Sequence, residues 1–233
     1  MILSSREEVV LCPGQDEIYR VATERFVRYA GEAVITKGTF NVALSGGVTP
    51  QAFYSLLGSE PYEEMVDWNH VHIFFSDERY VSYQESGSNF GNVRKNLISR
   101  IKIPPKNVHP VRTGFPDPRL AAEEYEKEIR TVLCPGKVKY PSFDLTILGV
   151  GEDGHTASLF SGTKAVSETE RLVAENYVEP GFCDRREHRD ERGRDFFDEE
   201  SESDAGTSVE LSEDEKVRHR SSNAASYCKF RVQ

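Results

Sequence analysis

Residues 148–162 read LGVGEDGHTASLFSG and set one histidine, His155, among four glycines, Gly149, Gly151, Gly154 and Gly162. An imidazole titrates near pH 6.5, so it can take and return a proton at neutral pH, a service worth roughly 10²–10⁴ in rate. Asp153, two residues earlier, can orient that ring or steady the imidazolium. A turn histidine bonded to nearby backbone has the same local pattern. Earlier in the chain, SDERYV (residues 76–81) places Asp77, Glu78 and Arg79 directly after an apolar run. The arginine fork suits phosphate or carboxylate, and the two acids can orient it or a substrate hydroxyl. A solvated loop is the plainer meaning of such a charge run. Arg94 can add a second positive group or simply lie on the surface.

SGGVTP (residues 45–50) supplies a third cluster. Gly46 and Gly47 let backbone approach closely, and the free N–H groups at a helix start can face an anion. A tight strand-to-helix turn needs the same glycines without any ligand. Ser45 lacks the preceding glycine of a G-x-S-x-G nucleophile elbow, which argues against a serine hydrolase. His70 and His72 alternate on a strand with no third ligand at a recognisable spacing. No metal is therefore expected, and His109, His188 and His219 read as incidental.

These clusters need elements to hold them. Apolar residues from Ile18 to Val34 recur at helical spacing before Gly38, and FNVAL (residues 40–44) reads as a buried strand. Thr49-Pro50 reads as an N-cap followed by proline at the first helical position, with Phe53, Leu56 and Leu57 on the apolar face. VHIFF (residues 71–75) is a second strand, and SNFGNVRKNLISR has helical spacing through Phe90, Val93 and Leu97. Asp117-Pro118 opens a further helix carrying Leu120, Tyr125, Ile129 and Val132, and FDLTIL (residues 143–148) is a third buried strand. Strands alternating with helices predict an α/β fold, a Rossmann-like three-layer α/β/α arrangement around a mostly parallel sheet. Ligands of such sheets sit beyond the carboxyl ends of the strands, and all three polar clusters fall there.

The chain has 233 residues and a net charge of −10, which argues against general attraction to nucleic acid or anionic membrane. Its start lacks the basic and apolar regions of a signal peptide, and no apolar run approaches the roughly 20 residues that span a bilayer. The scattered cysteines, Cys12, Cys134, Cys183 and Cys228, form no CxxC pair. A cytoplasmic protein with reduced thiols is the expectation. Oligomeric state is not legible. After residue 179 the composition shifts: 24 of the 54 remaining residues are charged and only eight are Leu, Ile, Val or Phe. The division expected is therefore an α/β domain over residues 1–179 and a charged, disordered tail over residues 180–233.

Three segments, NVALSGGVTPQAFYSLL, DWNHVHIFFSDERYV with SNFGNVRKNL, and FDLTILGVGEDGHTASLF, closely resemble those of the 6-phosphogluconolactonase family. They keep their order and spacing over roughly residues 15–178. The resemblance implies the fold of the ribose-phosphate isomerase and glucosamine-6-phosphate deaminase superfamily. It also implies hydrolysis of 6-phosphogluconolactone, a small sugar-phosphate lactone, to 6-phosphogluconate in the oxidative pentose phosphate pathway, without metal or cofactor. His155 would activate water and Asp153 would sit close to it. Ser45, Gly46, Gly47, Asp77, Arg79 and Gly154 would contact substrate, with Arg94 as a further basic position. A deaminase of the same superfamily is the alternative enzyme, although Thr156-Ala157-Ser158-Leu159-Phe160 differs from its usual I-A-F-N-E-P continuation. The family normally follows a stretch like LVAENYV with a basic strand, an aliphatic strand and closing helices. Here PGFCDRREHRDERGRDFF follows, as a shift of reading frame would produce, and a non-catalytic or unstable relative is the third expectation.

Overall fold

In the computed structural model, which describes residues 9–134, 141–151 and 154–178 and the backbones of two later strands, the first helix is α1 (Gln15–Lys37). Asp16 and Glu17 complement the dipole at its first turn. Gly38 stops it, taking φ +80° so that its N–H reaches Val34 O. Strand β1 (Phe40–Leu44) follows, then α2 (Val48–Leu57), β2 (Val71–Phe75), α3 (Asn89–Asn96), α4 (Pro118–Leu133), β3 (Leu145–Leu148) and β4 (Val173–Asn176).

β1 lies between β2 and β3 and is parallel to both, with Phe40 opposite Val71, Leu44 opposite Phe75 and Val42 opposite Leu145. Side chains alternate across a strand, and here that alternation divides the core. Phe40, Val42 and Leu44 of β1 join Val71, Ile73 and Phe75 of β2 on one face, packed with Phe26, Phe53 and Val93 from α1, α2 and α3. Ala43 and Phe74 point to the other face, where Tyr125 and Ile129 of α4 cover them. Each fully buried Phe or Leu contributes about 2 kcal/mol. The edge-to-face pair of Phe26 and Phe40, with centroids 5.3 Å apart, locks α1 to the sheet. Helices therefore lie on both faces of a parallel sheet, as the alternation of elements predicts.

Four local expectations are corrected. Thr49 is not the cap of α2: Gly47 is, at φ +109°, and Val48 already begins the helix. The left-handed glycine turns the chain two residues earlier, and Pro50 is still within the first turn, where no N–H is required. Leu120 is 36% exposed, because Ala121 and Ala122, not Leu120, share the face of Tyr125 and Ile129. β3 starts at Leu145 rather than Phe143. His109 is not incidental. It is buried, stacks on Phe74 at 4.3 Å, and lies between His72 (3.1 Å) and Glu128 (2.8 Å). Burial, with His109 beside it, lowers the pKa of His72.

Within the region the sequence assigns to a disordered tail, β5 (Glu210–Ser212) pairs antiparallel with β3, and β6 (Ala225–Cys228) with β4. Without β5, the unpaired side of β3 would present open N–H and C=O groups, which favour an added strand. Apart from β5 and β6, residues 179–233, His188, His219 and Cys183 among them, lie outside the described residues. Among the described residues, no helix is long and apolar enough to cross a membrane.

Candidate active site

The carboxyl end of β1 runs into Ser45, which is 2% exposed. Tyr54 of α2 donates its hydroxyl to Ser45 O at 2.7 Å, and Ser76 donates its N–H and hydroxyl to Leu44 O at 2.8 and 3.0 Å. These bonds brace the strand end where no ladder continues. The Ser45 hydroxyl is itself buried without a hydrogen-bond partner among the described residues. Gly46 has a steric reason to be glycine, since a Cβ there would lie 1.7 Å from Asn89 Oδ1.

At the end of β2 the two adjacent acids part company. Glu78 turns into the protein and accepts hydrogen bonds from the backbone N–H groups of Asn89 (2.7 Å), Phe90 (2.9 Å) and Arg79 (2.8 Å). It thereby satisfies open donors at the start of α3, beside the Ser88 N-cap. Burial pushes its carboxyl up to about 7 despite those three donors. Asp77 turns the other way. Its carboxylate accepts from Asn89 Nδ2 at 2.9 Å and from the Ser158 hydroxyl, while its carbonyl accepts from the same Asn89 amide at 3.0 Å. Arg79 is half-buried, with Nη1 donating to Gly87 O at 3.2 Å.

The turn after β3 is held by Gly151 N–H to His155 O at 2.7 Å and Gly154 N–H to Gly151 O at 2.8 Å, with Val150 bridged to Thr156. A Cβ on Gly151 would fall 2.2 Å from His155 Cε1, so this glycine is what lets the imidazole lie over the turn. The ring rests against buried Phe160, centroids 4.4 Å apart. Ala157 takes φ +42°, a left-handed conformation that costs a non-glycine residue about 1–2 kcal/mol. Such strain is characteristic of functional turns.

The three strand ends close on one cleft of about 200 Å³. Ser45, Gly46 and Gly47 form one wall, Asp77, Arg79 and Asn89 a second, and Gly149, Gly151, His155 and Ala157 a third. Six residues expected from the sequence thus meet: Ser45, Gly46, Gly47, Asp77, Arg79 and His155. Gly154 shapes the turn at φ +78° but is not part of the wall. Arg94 lies outside the cleft. It is exposed on the last turn of α3, its guanidinium 5.8 Å over the Phe90 ring, because helical spacing from Asn89 carries it onto the solvent side. Asp153 lies outside the described residues. Asn89 and Ser158 belong to the site and were not singled out from the sequence. The only local hint was the Ser88-Asn89 helix start.

Among the described residues, no three His, Cys, Asp or Glu side chains are placed to hold a metal ion. Chemically, the cleft offers an imidazole, a guanidinium, a carboxylate and a buried hydroxyl, groups able to exchange a proton, pair with an anion and hydrogen-bond to hydroxyls.

The family model described as glucosamine-6-phosphate isomerases/6-phosphogluconolactonase matches residues 13–187. This chain belongs to that family. It is 39% identical over 142 residues to the 6-phosphogluconolactonase of Synechocystis, covering 61% of this chain and 58% of that protein. It is 46% identical over 119 residues to the 6-phosphogluconolactonase of Thermotoga maritima, covering 51% and 49% of the two chains. The solved 6-phosphogluconolactonase of Trypanosoma cruzi superposes with a TM-score of 0.68 at 33% identity, over 77% of this chain and 72% of that one. A monomeric glucosamine-6-phosphate deaminase shares the fold at 17% identity and a TM-score of 0.59. The matched part thus spans 58% and 49% of the length of these two curated lactonase relatives.

Proposed function

We propose that this chain hydrolyses 6-phospho-D-glucono-1,5-lactone to 6-phosphogluconate, with His155 as general base. His155 takes a proton from water as the water oxygen bonds to the lactone carbonyl carbon. The bond from that carbon to the ring oxygen then breaks, and the proton passes to the ring oxygen as it leaves. The resulting carboxylic acid loses its own proton to solvent. Asp153 steadies the imidazolium between the two transfers. Arg79 holds the anionic end of the substrate, Asp77 accepts from a sugar hydroxyl, and Ser45 with Gly46 and Gly47 lines the wall beside them. Gly154 serves by shaping the histidine turn, and Arg94 has no part in the cleft. No step calls on a metal or cofactor. Residues 1–179 carry the chemistry in this reading. Cys12 and Cys134, both free thiols, suit a reducing cytoplasmic setting.

The observation that carries this reading is the placement of His155 across one cleft from Asp77 and Arg79 in a chain of this family. The experiment offers the purified chain fresh lactone and, separately, glucosamine 6-phosphate. Acid release above the spontaneous rate with no ammonia is expected. Ammonia release would assign the cleft to deaminase chemistry, and neither product would make the chain a non-catalytic relative.

A further inference from the structure

Asn89 is 1% exposed, yet it reaches the wall of the cleft. Its backbone N–H is held by Glu78 Oε1 at 2.7 Å, which fixes where its side chain begins. Its amide then does two things at once. Nδ2 donates to both the carbonyl and the carboxylate of Asp77, at 3.0 and 2.9 Å. Oδ1 sits where a Gly46 side chain would be, 1.7 Å from the position of the missing Cβ. The other carboxylate oxygen of Asp77 accepts from Ser158, in the loop that carries His155. One buried amide therefore packs beside the turn after β1 and holds the acid after β2, and that acid is bonded in turn to the loop after β3.

A carboxylate left to rotate in a cleft can present either oxygen to a substrate hydroxyl. Here each oxygen already has one protein donor, and its remaining lone pairs are directed by that bond. We infer that Asn89 is a positioning residue of the site, acting through Asp77. The inference rests on the lactonase reading for its kinetic consequence, though not for the pairing itself.

The test is a double-mutant cycle of Asn89→Ala and Asp77→Ala in the full chain, scored as kcat/KM for lactone hydrolysis. Asn89→Ala alone should lower kcat/KM by about 10–100-fold, the scale of loss when a supporting contact lets a group drift. In the Asp77→Ala background it should cost less than about 2-fold, because the group it positions is gone. Asn89→Asp, which turns an acceptor toward Asp77, should do no better than Asn89→Ala. Losses that multiply across the cycle would overturn the inference and leave Asn89 a general packing residue.

A second measurement needs no activity and no Asn89 variant. The Asn89 side-chain amide should give an exchange-protected NMR signal that shifts in Asp77→Ala. A signal unmoved by that substitution overturns the pairing, and with it the inference. A chain that fails to hydrolyse lactone yet shows the shifted signal instead refutes the functional reading and retains the contact.

Discussion

Two glycines in the cleft, Gly46 beside Asn89 and Gly151 beside His155, are required by their neighbours rather than by flexibility. Gly151 lies under the His155 ring, and Gly151→Ala would put a Cβ 2.2 Å from Cε1 and 2.3 Å from Nδ1. The ring must swing away, so kcat/KM for lactone should fall about 100-fold while the unfolding free energy drops only about 1–3 kcal/mol. Steady-state kinetics beside urea denaturation separates the two. Glu78 gives a prediction in pH. An exposed glutamate loses its proton near 4.5, whereas buried Glu78 holds it to about 7. Between those values the folded chain binds more protons than the unfolded one, so this group's contribution is full below about 4.5 and is lost as pH rises through about 7. Denaturation of wild type and Glu78→Gln at several pH values should show the difference between them shrinking with rising pH across that window. A constant difference would contradict it. His155, Asp77 and Arg79 were legible in the sequence because each is a chemically distinctive residue beside a strand end. Asn89 was not, since its role depends on meeting Asp77 and Gly46 in space.

Elements were legible where composition and boundary agreed. FNVAL and VHIFF are short apolar runs with polar or glycine-rich flanks, and β1 and β2 occupy them residue for residue. The start of α2 was misread because Thr49-Pro50 is a familiar cap pattern, whereas a positive φ at Gly47 leaves no mark beyond the glycine itself. His109 was misread for a related reason, since its partners His72 and Glu128 come from β2 and α4. Tyr125 shows how an element outside the cleft supports it. Its hydroxyl accepts from Phe75 N–H at 2.8 Å and donates to Phe75 O at 3.3 Å, closing the outer side of β2 just before Ser76 and Asp77. Tyr125→Phe should strand that buried N–H and cost about 1–3 kcal/mol. A lower urea midpoint at unchanged m is the expected result, and an unchanged midpoint would show that the strand end needs no such support.

At the scale of the molecule, the turns after β1, β2 and β3 and the starts of α2 and α3 assemble the cleft from residues before 160, within a chain whose family match ends at residue 187. β5 and β6 pair with β3 and β4, so part of the later sequence joins the sheets although its composition predicts otherwise. Charged residues dominate that region, and composition alone does not register the few backbone hydrogen bonds an open strand edge can recruit. The central claim is that this arrangement is enough for His155 to act on a lactone. The most direct measurement is the initial rate of acid release from fresh 6-phosphogluconolactone by the 233-residue chain and by His155→Ala, each shown to be folded by circular dichroism. A rate well above spontaneous hydrolysis for the chain, falling about 100-fold or more in the variant, is the predicted result. Equal rates for the two folded proteins would contradict the account.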